Sequence, residues 1–180
     1  LGRYYLIYIK QKQGEGPPPN TGLLKQALNE YKKLLSETEN DDELKEVANR
    51  ARLGVGTCQV YLGQYAEALA FFEKIAASTD DKGVLAGAFN GLGLCYYMQN
   101  NWEDALLSFL RTEVLYAEED PEQEAMALFY SGKCFHFLYG QGVGGDEYKA
   151  RAKSQYNKCQ QKYQGTSWAQ QAKEGYNSIR

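Results

Sequence analysis

GLGLCYYMQNNWEDALLSF (residues 91–109) carries two helix-length apolar runs on either side of an asparagine pair. Its small and large residues keep fixed distances: Gly93, then Cys95, Trp102, Ala105 and Phe109. The same order stands upstream as Gly56, Cys58, Tyr65, Ala68 and Phe72, and starts again downstream at Gly132 and Cys134. The three glycines are 37 and 39 residues apart. Self-similarity at such a period marks a repeat architecture and takes precedence over any local motif. Apolar residues at helical spacing with few β-branched runs point to helix rather than strand. Glycine and alanine let two helix backbones approach closely, while Phe89, Tyr96, Trp102 and Phe109 fill the space between them. Gly63-Gln64 and Asn100-Asn101 supply the turns, because glycine and asparagine tolerate left-handed backbone. One hairpin cannot cover its own apolar face, so hairpins must stack.

This unit resembles the tetratricopeptide repeat, whose signature is a large residue, Leu-Gly, an aromatic, Gly-x-Tyr, Ala, Phe and Ala. Segment 89–109 matches through Phe89, Leu92-Gly93, Tyr96, Trp102, Ala105 and Phe109. Segment 53–75 matches through Val55-Gly56, Gly63-Gln64-Tyr65, Ala68 and Phe72, and departs at Gln59, where the aromatic belongs. Two looser copies flank them. The first has Leu1-Gly2, Tyr5, Ala27 and Tyr31; the last has Leu128, Gly132, Phe135, Ala152, Tyr156 and Cys159. The proline that often closes the repeat is missing throughout. The resemblance implies one all-α, right-handed superhelical domain over 1–180, with repeats at about 1–38, 40–77, 80–117 and 120–163 and a capping helix at 167–179.

Helix boundaries support the hairpins independently. NDDE (40–43) and DPEQ (120–123) place a side-chain acceptor before a helix with Glu or Gln three residues on. Pro121 falls at the first helical position, where a missing N–H costs nothing. SWAQ (167–170) repeats the capping pattern and predicts a last helix to about Ser178. The first repeat starts at its Leu-Gly position, which predicts that the native chain extends upstream.

Composition narrows the function classes. A net charge of −3 argues against nucleic-acid binding, which needs a basic footprint. No apolar run approaches the roughly 18 residues of a membrane span, so membrane contact is expected only through an upstream segment. Localisation stays open between the cell envelope or periplasm and the cytoplasm. Catalysis has no motif: H-E-x-x-H, G-x-S-x-G and a phosphate-loop lysine are all missing. The expectation is therefore no enzyme activity, no catalytic residues and no cofactor.

Three features tempt a chemical reading. GKCFH (132–136) sets Cys134 beside the only histidine, but Cys58, Cys95 and Cys134 share one repeat position and Cys159 takes a usual alanine position. Buried thiols pack as small hydrophobes, and zinc needs four converging ligands. No metal site is expected. Gly140, Gly142 and Gly145 fit G-x-G-x-x-G formally, yet no strand precedes them. They make an insertion in the last hairpin's turn, with Asp146 expected to cap the next helix; a binding role for this loop is the alternative. GEGPPPN (14–20) is a second insertion, with Pro17–Pro19 an exposed spacer.

The resemblance also places ligands along a concave face lined by the first helix of each hairpin. Mapped onto this chain, that face takes Arg50, Thr57 and Tyr61 from the second repeat. The third contributes Asn90, Leu94, Tyr97 and Met98, and the fourth Phe129, Lys133, His136 and Phe137. Aromatics beside polar anchors are what protein interfaces use as hot spots. The same aromatics at helical spacing could equally be core. The expected partner is a protein or peptide. The competing class is a self-assembly module, its oligomeric state left open by the sequence. KYQGTSWAQQA (162–172) is similar to the Tyr-Pro-x-Ser-x-x-Ala junction of bacterial envelope tetratricopeptide proteins, such as the TolA-binding and outer-membrane assembly factors. Gln164 stands where those have proline.

Overall fold

A computed structural model describes residues 1–179, and the regular structure among them is all helical, with no strand. The chain divides into two compact units, Leu1–Thr79 and the part from Asp80 onward. Unit 1 holds α1 (Gly2–Gly14), α2 (Thr21–Thr38), a short 3-10 turn (Asp42–Leu44), α3 (Lys45–Tyr61) and α4 (Tyr65–Ala77). Unit 2 holds α5 (Lys82–Met98), α6 (Trp102–Tyr116), α7 (Pro121–Gly140), α8 (Gly145–Lys162) and α9 (Ser167–Ser178). No described helix is long and apolar enough to cross a membrane.

Within each unit every helix packs on the next, and alternate helices also touch: α1 with α3, α5 with α7, and α7 with α9. That is the contact pattern of layered hairpins. Small residues make it possible. A Cβ added at Gly56 would lie 2.5 Å from the Phe72 ring, at Gly93 2.8 Å from Phe109, and at Gly132 2.9 Å from Tyr156. Each glycine thus seats an aromatic ring of its partner helix. A second set joins successive hairpins, with Gly54 against Tyr31 and Gly175 against Tyr156, both at 2.6 Å. Tyr31, Phe72, Phe109 and Tyr156 are accordingly among the most deeply buried side chains.

The four cysteines are free and buried. Burial pushes the thiols of Cys58, Cys95 and Cys134 up to about 12 and that of Cys159 to about 11. They are protonated, apolar packing groups. Cys159 donates its S–H to the carbonyl of Ala125 across the α7–α8 contact, at 3.7 Å.

The helix ends depart from expectation in three places. Asp120 accepts from the amides of Glu122 and Gln123 ahead of Pro121, but the second acceptor is Asp41 rather than Asn40, and it caps the 3-10 turn. Thr166, not Ser167, caps α9 by accepting from the Ala169 amide at 3.2 Å. Asp146 does not cap α8: the cap is Gly144, whose φ of +73° few other residues adopt, and Asp146 lies in the first turn. There an acidic side chain still favours the positive helix end. The Gly140–Gly145 stretch joins two helices, with no strand on either side. Pro17, Pro18 and Pro19 are exposed.

The first hairpin uses a different face of α1 from the one expected. Tyr5 is 50% exposed, and a Cβ at Gly2 would meet nothing within 4 Å. Tyr4, Ile7, Gln11 and Gly14 are the inward residues, three or four apart as helical period demands. The close approach is made by Gly14, whose added Cβ would lie 2.8 Å from Leu24.

Candidate functional site

The eleven residues assigned to a ligand face fall in both units, with Arg50, Thr57 and Tyr61 in unit 1 and the other eight in unit 2. In unit 1, the Arg50 guanidinium donates to Glu46 Oε1 at 3.0 Å and stands 5.9 Å from the Tyr4 ring centre. The Thr57 hydroxyl donates back to the Leu53 carbonyl at 3.0 Å, within its own helix, and Tyr61 is half-buried. Both hydrogen bonds lie within α3 and hold these side chains along the helix.

In unit 2, Asn90 and Leu94 are each only 1% exposed. Asn90 is no ligand anchor: its Nδ2 donates to the Gln123 carbonyl at 2.8 Å and to Gln123 Oε1 at 2.9 Å, tying α5 to α7. A buried amide needs such partners, and this one lies 33 residues away in sequence. Leu94 belongs to the core. Met98 is half-buried at the end of α5. Tyr97 packs among other aromatic rings, with its own 5.0 Å from Tyr130 and 5.1 Å from Trp102.

The remaining four residues converge. Lys133 follows Phe129 by four residues on α7, and His136 and Phe137 lie three and four residues beyond Lys133, so all four fall towards one side of the helix. They line a cavity of about 980 Å³ together with Trp102 from the start of α6 and Gln171, Glu174 and Ser178 from α9. Phe129 itself is 6% exposed and closes the inner side. Phe137 is 43% exposed and stacks on Trp102, with ring centres 4.6 Å apart and planes within 18°. His136 is half-buried and stacks on Phe137; burial pushes its imidazole below its ordinary value, towards the neutral form.

Among the side chains lining this cavity, Lys133 carries the positive charge. Its ammonium lies 4.9 Å from the Tyr97 ring centre, 5.5 Å from Phe129 and 5.7 Å from Tyr130. Aromatic faces attract a cation but accept no conventional hydrogen bond. Among the described residues no carboxylate pairs with it. Burial accordingly pulls its pKa below the ordinary lysine value. Glu174, the acid on the α9 side, is engaged by Gln170, whose Nε2 donates to it at 2.9 Å.

A depressed folded-state pKa has a definite sign for stability. The unfolded chain holds the Lys133 proton more tightly, so the charge costs stability at all pH values below the folded pKa. That cost fades only as pH rises through the folded value towards 10.5. Lys133→Met keeps the packing stem and removes the charge. It is expected to raise the thermal midpoint by about 2 °C, the shift that somewhat under 1 kcal/mol gives in a chain of this length. Scanning calorimetry at neutral pH checks the sign; a clear drop in midpoint would mean that the three rings more than offset the burial.

Two parts of the site escaped the sequence. Trp102 appeared only as an aromatic filler within its own hairpin, whereas it also stacks on a residue 35 positions further on. The α9 wall appeared only as a cap. The run of Gln171, Glu174 and Ser178 at helical spacing was the available signal, since it leaves a polar stripe on a short helix. Among the described residues no three His, Cys, Asp or Glu side chains gather as metal ligands. No family model matches the chain, and no curated protein matches it.

Proposed function

We propose that this chain is a non-enzymatic protein-binding scaffold whose hairpins are tetratricopeptide-type repeats, stacked as a right-handed superhelix. The cavity on α7 is where a peptide or partner protein docks. One observation carries the reading: an aromatic stack with an exposed ring, Phe137, and a cation without a carboxylate partner, Lys133, open into the same cavity from α7. Aromatic anchors beside a desolvated polar group are the usual centre of a binding hot spot. The recurring glycine–aromatic seats support the repeat assignment. The protonated thiols and a histidine stacked on phenylalanine support a binding role over a catalytic one, since nucleophilic catalysis needs an activated group.

Selection of peptides from a displayed library on the full chain, followed by calorimetric titration, tests this. Phe137→Ala removes a half-exposed ring at little expected expense to folding, and should weaken the selected peptides about tenfold or more. Selected peptides that bind Phe137→Ala and Trp102→Ala as tightly as the wild type would discard the cavity as the docking site.

Self-association is the second reading, and a specific feature favours it. Leu107, Val114 and Leu115 stand exposed on α6, with Leu107 and Val114 two turns apart on one face. Light scattering that shows a strict monomer at high concentration removes this reading.

A further inference from the structure

Lys133 and Phe137 are one helical turn apart on α7, a rise of about 6 Å. An extended peptide places its residues i and i+2 on the same side at about 6.8 Å. The two spacings agree, and the two groups want complementary things. The Lys133 ammonium has N–H donors with no carboxylate to receive them and three rings that hold the cation in place. The Phe137–Trp102 stack, 4 residues on, offers an exposed aromatic face. A cavity of about 980 Å³ exceeds what one side chain fills.

Building on the scaffold reading, we propose that the cavity takes an extended segment of a partner protein, with one Asp or Glu carboxylate on Lys133 and a large apolar side chain two residues away on the Trp102–Phe137 stack. A carboxylate there completes the charge-assisted hydrogen bonds that the rings cannot make. Glu174, lining the cavity from α9, repels a second carboxylate, so the segment carries a single acid and not an acidic run. His136 lines the same wall, where its neutral ring stacks rather than adds charge.

The test uses the full chain and blocked pentapeptides, acetylated and amidated, in which glutamate or glutamine is separated by one glycine from phenylalanine. Titrations are followed by amide chemical shifts up to about millimolar peptide, the range suited to a short ligand. The glutamate peptide is expected to shift the α7 and α9 resonances and to bind about tenfold tighter than the glutamine peptide. In Lys133→Met that preference is expected to vanish while the chain stays folded. Equal binding of the two peptides to wild type, with shifts at Phe137, overturns the carboxylate anchor and leaves the docking site standing. A preference that survives in Lys133→Met overturns it too. A glutamine peptide with a free C-terminus that binds better than the blocked glutamate peptide assigns Lys133 to a chain end instead, and also overturns it. Absence of shifts with every peptide ends this proposal, whereas the cavity falls as a docking site only if library-selected peptides ignore Phe137 and Trp102.

Discussion

Valine at position 93 is expected to lower the stability of unit 2 by about 3 kcal/mol or more, at the upper end of what overpacking a core costs. The first added carbon already stands 2.8 Å from Phe109, and the ring cannot retreat. Phe109 is fully buried and stacked on Tyr130, with centres 5.2 Å apart. Alanine at the same position separates two opposing effects. Helix propensity gains about 1 kcal/mol over glycine, while the clash costs roughly 1–3, so the net effect is destabilising by about 1 kcal/mol. At Gly140, where an added carbon meets nothing within 4 Å, alanine is expected to be neutral or slightly stabilising. Chemical denaturation of Gly93→Ala, Phe109→Leu and the double variant isolates the contact. The double should be less damaged than the sum of the singles, because each relieves the other. Strict additivity would show that the helices separate freely there.

Tyr156→Ala is the second large effect, at about 3–5 kcal/mol for emptying a fully buried aromatic site. Tyr156 is 1% exposed and held between two glycines, Gly132 on α7 and Gly175 on α9. Its loss strikes α9 hardest, since Ala172 is the only buried residue within that helix. Hydrogen exchange should show α9 amides losing protection before those of α7, as a short helix without tertiary support does not persist. Tyr156→Phe keeps the ring and should keep the protection. Equal loss in both helices, or none in α9, would sink the idea that this ring fastens the last helix.

How much of this was visible in the residues depends on distance along the chain. The helical hairpins around Gly56 and Gly93 were legible because glycine and aromatic recur 16 positions apart, at 56 and 72 and at 93 and 109. Asp120-Pro121 was legible because capping is local. The first hairpin lacks such markers, and two adjacent tyrosines on α1 made its register ambiguous. Tyr5 looked like the buried filler, whereas Tyr4 is. Asn90 shows the other limit. A polar residue on an apolar helix suggests a ligand anchor when its partner is unknown, and Gln123 is 33 residues away. Four of the eight residues assigned to the unit 2 face do line one cavity, because they all lie on α7 and helical period alone aligns them. Its other walls, Trp102 and α9, reach it through packing that no local pattern encodes.

The Trp102–Phe137 stack also makes the molecule its own spectroscopic probe. The chain has two tryptophans, Trp102 and Trp168, and both belong to unit 2. Indole emission therefore follows unit 2 alone, whereas circular dichroism sums the helices of both units. Superimposable unfolding curves from the two signals would mean one cooperative block; curves that separate would give the stability of each unit without cutting the chain. The same indole, set in the cavity wall, would change its emission when a ligand without tryptophan lies against it.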